Sequence, residues 1–293
     1  MASTRRLIYP DIIINKLGIN RNFNNKLDGG DGQGYNEIVS NVFFDLANAS
    51  EILYRVRYQD DESNNDSSRC DQYLSFQQDM GACSRHTGGI IWETAYLLLE
   101  YLLQQHCSST FTQRRLGRTC ELGAGVGFLG QCLAAEHCSC MPELILTETD
   151  DVLTNLKRNV IANQSILEKN KKCKVSVNAL DWTRYKDDIK NANETIRSHS
   201  FDTLLSTDVI FSISLVDPLL ETAEYLSHDH TIWYLCVQVR CAAAHQLFID
   251  RTASYGFYVE DISDECYRST SYCAWGEALE CFLFRITRTT RVD

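Results

Sequence analysis

The stretch TCELGAGVGFLGQCLAA, residues 119–135, decides how this chain is read. Four glycines, Gly123, Gly125, Gly127 and Gly130, fall within eight residues. Glu121 precedes them, and a run that reads as helix follows. Backbone without side chains can approach a ligand closely, where a Cβ would clash. A helix that starts just beyond such a bend adds free N–H groups and a partial positive charge. The spacing therefore predicts a short strand over 119–122, a ligand-holding bend, and a helix over 128–136.

Working outward, short apolar runs alternate with amphipathic ones. Helices are expected over 90–103, 151–163 and 242–253, and another opens at Asp217-Pro218, where proline is tolerated in a first turn. Strands are expected over 144–147, 175–180, 201–207, 232–239, 256–259 and 279–286. Regular β-α alternation with apolar strands argues for a parallel sheet covered on both faces. Ligands then sit beyond the carboxyl ends of the strands, where strand order reverses. Upstream, Ile38, Val39, Val42, Phe43, Leu46 and Ile52 fall at helical spacing. A helical N-terminal region over 1–83 is expected, with a polar linker at about 58–72, and a second domain over 84–293.

Two ligand classes use a glycine bend of this kind. GVGFLG, Gly125 to Gly130, matches the dinucleotide pattern GxGxxG, a weak signal alone. The other class is S-adenosylmethionine, which carries an ammonium and a carboxylate and has no pyrophosphate. Glu121, two residues before Gly123, suits the ammonium and would repel a pyrophosphate. Glu148, at the end of the next strand in LILTETDD, suits two ribose hydroxyls in either ligand. Asp150 and Asp151 read as helix N-capping and first-turn charge. In LDW, Asp181 could accept from an adenine amine and Trp182 could pack on its ring; a turn aspartate beside a core tryptophan is the other reading.

The bulk numbers narrow the class. The 293 residues carry a formal net charge of −11. An acidic surface repels nucleic acid backbone, and the basic runs Arg114, Arg115, Arg118 and Lys169 to Lys174 are short. Thirteen cysteines without a CxxC pair read as reduced thiols of a cytosolic or nuclear protein. His137, Cys138 and Cys140 lack a second ligand pair, so no metal site is expected. Asp11, Asn15 and Lys16 interrupt the first apolar run, so no signal peptide is expected. No stretch of about 18 apolar residues suggests a membrane span.

Several motifs together resemble the seven-β-strand methyltransferases of the protein-lysine group. They are TGGIIWETAYLLLEYL (87–102), CELGAGVGFLG (120–130), TETDDVLTNLKRNVIAN (147–163), LDW (180–182), STDVIF (206–211), VQVRCAAAHQLF (237–248) and WGEALECFLFRIT (275–287). They keep the family order and cover about 84–288. The VQVR…QLF and GEALE segments are similar to the elongation factor 2 lysine methyltransferases. The resemblance implies an α/β, Rossmann-like seven-stranded sheet with helices on both faces and a helical N-terminal extension. It implies S-adenosylmethionine as cofactor, a cytoplasmic enzyme, and a folded protein substrate such as elongation factor 2. It implies that Trp92 lines the cofactor pocket with Gly123, Ala124, Gly125, Glu148, Trp182 and the backbone of Thr207. Asp208 to Phe211 matches the group's D-x-x-Y/F substrate motif.

Four positions depart from that pattern. Thr119-Cys120 replaces two aliphatic residues, Glu93 replaces a smaller or uncharged one, and Phe211 stands where tyrosine is common.

Methyl transfer from a sulfonium is an in-line displacement that needs a neutral incoming amine. An apolar channel lowers a lysine pKa from its reference near 10.4. Asp208 is expected to orient the amine by accepting a hydrogen bond, and Phe211 to form the channel wall. Asp208 as a strand-end turn residue is the bland alternative. A nucleic-acid amine methyltransferase is a rival, but TDVIF lacks the prolines of its usual motif. A nicotinamide dehydrogenase fits Glu121 poorly. A cofactor-bound scaffold without activity is the third rival.

Overall fold

The computed structural model describes residues 6–9, 11–12, 32–56, 72–79, 87–107, 115–137, 140–169, 173–191, 195–269 and 273–289. All but Gln72 of the expected linker lies outside them, as do Cys138, Arg114 and residues 170–172 of the second basic run.

The chain runs β1 (Arg6–Tyr9), α1 (Gly32–Ala47), β2 (Glu51–Arg55), β3 (Tyr73–Gln77), α2 (Glu93–Cys107), β4 (Arg118–Leu122), α3 (Phe128–His137), β5 (Glu143–Glu148), α4 (Asp150–Lys169) and β6 (Lys174–Ala179). It continues through α5 (Tyr185–Asn191), β7 (Phe201–Thr207), α6 (Ile213–Leu226), β8 (Ser227–Gln238), α7 (Ala242–Thr252), β9 (Phe257–Asp261), α8 (Ser263–Ser269), α9 (Trp275–Ala278) and β10 (Cys281–Arg288). Single 3₁₀ turns lie at Thr87–Gly89 and Trp182–Arg184.

The large sheet has seven strands in the order β6-β5-β4-β7-β8-β10-β9. The first five pair in parallel. β10 runs antiparallel to both β8 and β9, which corrects the expectation of a parallel sheet. The helices α8 and α9, of seven and four residues, are too short to carry the chain back along a strand, so it returns antiparallel. Strand order reverses about β4, which places a crevice beyond the carboxyl ends of β4 and β7.

Alternation along the strands sorts side chains onto two faces. Cys120, Leu122, Ile145, Leu204, Trp233 and Ile286 share one core with Leu219, Leu220 and Phe248 of α6 and α7. Leu144, Leu146, Leu205, Cys236 and Leu283 share the other with α2, α3 and the N-terminal elements. Thr119 weakens β4 less than its polarity suggests: it is β-branched, and its hydroxyl donates to Leu116 and Gly117 carbonyls at 3.4 and 3.2 Å.

The N-terminal region is not simply helical. Ile38, Val39, Val42, Phe43 and Leu46 do lie on α1. β1, β2 and β3, however, form a second sheet of three strands, in that order. Ile52 and Tyr54 belong to a two-residue alternation in β2, and short strands of this kind blend into a helical pattern when read together. The outer edge of β3 is covered by asparagines one turn apart on α4. Asn163 and Asn159 accept from Ser75 N at 2.8 Å and Gln77 N at 3.0 Å, and donate back to the carbonyls of the same two residues. Behind the glycine bend, Phe128 packs against Tyr96, Phe76 and Tyr9, with ring centroids 4.7, 5.1 and 5.8 Å away.

Candidate active site

A cavity of about 380 Å³ opens beyond the carboxyl ends of β4, β5 and β7. All eleven residues selected from sequence, Trp92 to Phe211, lie on its wall.

Its floor is the glycine bend. Gly125 has φ +56°, and a Cβ there would lie 3.3 Å from the Gly88 carbonyl oxygen. A side chain at this position is therefore strained twice, by backbone conformation and by contact. Four N–H groups of the bend and the helix turn after it are already committed. Ala124 N donates to Thr147 O at 2.9 Å and Gly127 N to Ala124 O at 2.8 Å. Gly125 N donates to Glu148 Oε1 at 3.1 Å, and Gly130 N to Glu121 Oε2 at 3.0 Å. A diphosphate-binding bend presents such groups to its ligand; here two carboxylates and two carbonyls take them.

Glu121 is buried, and burial pushes its carboxyl up to about 8 against the opposing pull of Gly130 N. Glu148 is also raised by burial; Thr149 N at 2.7 Å and Gly125 N oppose that rise. A cationic or hydroxyl-bearing ligand would relieve both groups. Asp181 lines the cavity, but its Oδ1 accepts from Thr183 N at 3.0 Å and Thr183 Oγ1 at 2.7 Å, capping the 3₁₀ turn. Trp182 faces the bend, with Cζ2 3.4 Å from where a Gly123 Cβ would stand. Its Nε1 is buried without a partner among the described residues, so a ligand acceptor has a donor waiting. Asp150 and Asp151 are exposed first-turn charges of α4, and Asp150 pairs with Arg184 at 2.5 Å.

The mouth is built differently. Asp208 has φ +51°, which for an aspartate costs about 1 kcal/mol. Asp208 N donates to Cys236 O at 2.9 Å, and Asp208 Oδ1 accepts from Gln238 N at 2.8 Å, so β8 holds the strained turn. Oδ2 accepts from Arg240 Nη2 at 3.0 Å. The same nitrogen donates to Glu93 Oε1 at 2.6 Å, and the guanidinium lies 4.8 Å from the Trp92 ring centroid. Trp92 Nε1 donates to Thr87 O at 3.1 Å. Burial raises the Asp208 carboxyl, and Arg240 pulls it back down. Phe211 is 41% exposed at the rim.

Sequence reading missed Gly88 and Arg240. A Cβ on Gly88 would lie 3.1 Å from Glu148 Oε1. Both residues sit inside motifs already quoted, but nothing in their local spacing says that they meet Glu148 or Asp208 in space. Glu93, read as a departure from pattern, finds its reason in Arg240.

Sheet order, a reversed penultimate strand and a glycine bend beneath a cavity define a Rossmann-like methyltransferase fold. The chain belongs to the lysine methyltransferase family, whose model matches residues 68–254. It is 24% identical over 195 residues to ribosomal lysine N-methyltransferase 5 of Kluyveromyces lactis, covering 54% of this chain and 58% of that protein. It is 27% identical over 181 residues to protein-lysine methyltransferase METTL21E of Mus musculus, covering 60% and 66%. The chain thus spans less than two-thirds of the length of these curated relatives. Among solved structures, it superposes on precorrin-6y C5,15-methyltransferase of Geobacter metallireducens with TM-score 0.44 and 10% identity, covering 73% of this chain and 93% of that one. No helix among the described residues is long and apolar enough to cross a membrane.

Proposed function

We propose that the chain is an S-adenosylmethionine-dependent protein-lysine N-methyltransferase. The observation that carries the cofactor class is the committed bend: four of its N–H groups are spent on protein acceptors, two of them carboxylates. Such a floor has few donors left for a diphosphate and suits an ammonium and ribose hydroxyls. Glu121 would hold the ammonium end, Glu148 the ribose, and Gly123, Ala124 and Gly125 the close backbone approach. Asp181, Trp182 and Thr207 would bound the adenine and the side facing β7, with Trp92 closing the pocket. When bound, the cofactor supplies an electrophilic methyl group on a sulfonium.

The chain's own residues prepare the acceptor. Phe211, Leu215 and Val209 give the cavity an apolar side. That side disfavours a charged lysine and so supplies neutral amine. Asp208 is fixed by Gln238 N and Arg240, and each carboxylate oxygen keeps a further lone-pair position to orient the amine. Most of the rate then comes from alignment in a dry site.

For the substrate we propose a folded protein of the translation apparatus, elongation factor 2 first. The VQVR…QLF and GEALE segments support that choice, and the name of the yeast relative supports a ribosomal protein. The test is to incubate the purified chain with methyl-labelled S-adenosylmethionine and a proteome extract, then map the label. Methyl-lysine in elongation factor 2 is expected. Methyl-lysine in another protein overturns the substrate alone. Label in RNA, or none in any macromolecule, overturns the reading of the chain as a protein-lysine methyltransferase.

A further inference from the structure

The cluster of Trp92, Glu93, Asp208 and Arg240 joins three parts of the fold. Trp92 and Glu93 lie at the start of α2, Asp208 follows β7, and Arg240 follows β8. One nitrogen, Arg240 Nη2, serves both carboxylates, at 2.6 Å to Glu93 and 3.0 Å to Asp208. Its two hydrogens suffice for both bonds. The side chains of Glu93 and Asp208 are only 14% and 5% exposed, so this is not a solvated surface pair. The guanidinium also covers the Trp92 ring at 4.8 Å. A lysine in its place would keep the charge and lose the planar stacking and the fork.

We propose that Arg240 is a positioning residue for methyl transfer: bound to Glu93 and Asp208 and laid on Trp92, it locks the Asp208 carboxylate in the orientation that receives the substrate amine. The proposal rests on the protein-lysine methyltransferase reading above.

Among the described residues, Arg240 is the cation that faces Asp208. The other groups around it are Glu93 from α2, which repels it, the Gln238 N–H, and two thiols, Cys236 of β8 and Cys281 of β10. Burial raises both thiols, so they stay neutral and offer no countercharge. Without Arg240, the Glu93 and Asp208 carboxylates would lose the cation they share, and Asp208 would keep the Gln238 N–H. Asp208 would then take up a proton at a higher pH than it does beside the guanidinium. The backbone at φ +51° is itself held by the bond from Asp208 N to Cys236 O.

The experiment compares wild type, Arg240→Ala, Arg240→Lys, Asp208→Asn and the double variant Arg240→Ala/Asp208→Asn. Each is given methyl-labelled S-adenosylmethionine and the proteome extract. Affinity for S-adenosylhomocysteine is measured beside the rate. Arg240→Ala should lower the labelling rate about 10²-fold with cofactor affinity retained. The double variant should be no slower than Asp208→Asn, because the two residues act as one unit. In Arg240→Ala the fall in rate towards acid should steepen from one proton towards two, the second being that of Asp208. Arg240→Lys should restore the wild-type pH slope at a reduced rate, which a purely structural role would not produce.

Wild-type labelling by Arg240→Ala, or effects that add in the double variant, would overturn the proposal. Should the wild type label no protein, the functional reading fails and the clamp is still tested. The Asp208 carboxyl carbon, assigned by its absence in Asp208→Asn, should titrate at higher pH in Arg240→Ala than in wild type. Identical titration would overturn it.

Discussion

Glu121 and Glu148 at the floor of the cavity, and Glu93 and Asp208 at its mouth, are all carboxylates withdrawn from water. The floor pair is held by backbone N–H groups, with no cation among the groups that shift either one. The mouth pair shares the Arg240 guanidinium. The difference separates two tasks. A floor without a countercharge leaves room for a ligand to supply one. A mouth with its own cation opposes the rise that burial imposes on Asp208 and fixes the carboxylate in place. Burial acts on both pairs; whether the protein or the ligand answers it is what distinguishes binding from positioning.

The hardest break in that contrast is at the floor. Gly125→Val should abolish cofactor binding while leaving the fold intact, because the added branches meet Gly88 O and demand an unfavourable φ. Calorimetry on a variant with wild-type circular dichroism checks this, and unaltered affinity would remove the bend from the binding site. At the mouth, Asp208→Asn should keep cofactor affinity and lose about 10²-fold in turnover. A rate near wild type would take Asp208 out of the mechanism.

A smaller effect is expected where the N-terminal sheet meets the bend. Asn159 bonds Gln77 N and O in β3, and its Nδ2 also donates to Val126 O at 3.0 Å. Asn159→Ala takes this partner from Gln77 N and Val126 O, leaves Gln77 O only the longer bond from Asn155 Nδ2 at 3.4 Å, and should cost about 1–3 kcal/mol in denaturant unfolding. No loss of stability would show that the asparagine ladder is decorative.

The finest test sharpens the contrast through pH. The Glu121 carboxyl is raised from 4.5 to about 8 in the folded chain. The folded state therefore holds a proton that the unfolded state has lost between those values. Stability of the ligand-free chain should fall as pH rises through that window, with the penalty complete above about 8. Cofactor affinity should move the other way, tightening as Glu121 ionises. Glu121→Gln should flatten both profiles in thermal unfolding and calorimetry. Profiles identical to wild type would show that Glu121 does not titrate there.

Much of the site was legible because it is local. Strand, bend and helix follow one another within residues 119–135, and Glu148 and Asp208 end strands whose apolar runs are plain. What sequence hid is contact between distant segments. Glu93 and Arg240 are 147 positions apart, and neither residue type announces the other. Asp181 was legible as a type and ambiguous in role: it caps Thr183, as a turn aspartate does. β10 reads as a strand from its apolar residues, but its direction depends on the length of α8 and α9. In the N-terminal region, strands of four or five residues carry too few alternations to stand out beside the sixteen-residue α1.

The central claim is that the bend, with four N–H groups already spent on protein acceptors, accepts a cationic sulfonium cofactor and refuses a diphosphate. Calorimetric titration of the full chain with S-adenosylmethionine and, separately, with nicotinamide adenine dinucleotide tests it most directly. Saturable one-to-one binding of the first and no heat from the second is the predicted result. Binding of the dinucleotide, competing with S-adenosylmethionine or replacing it, would contradict the account.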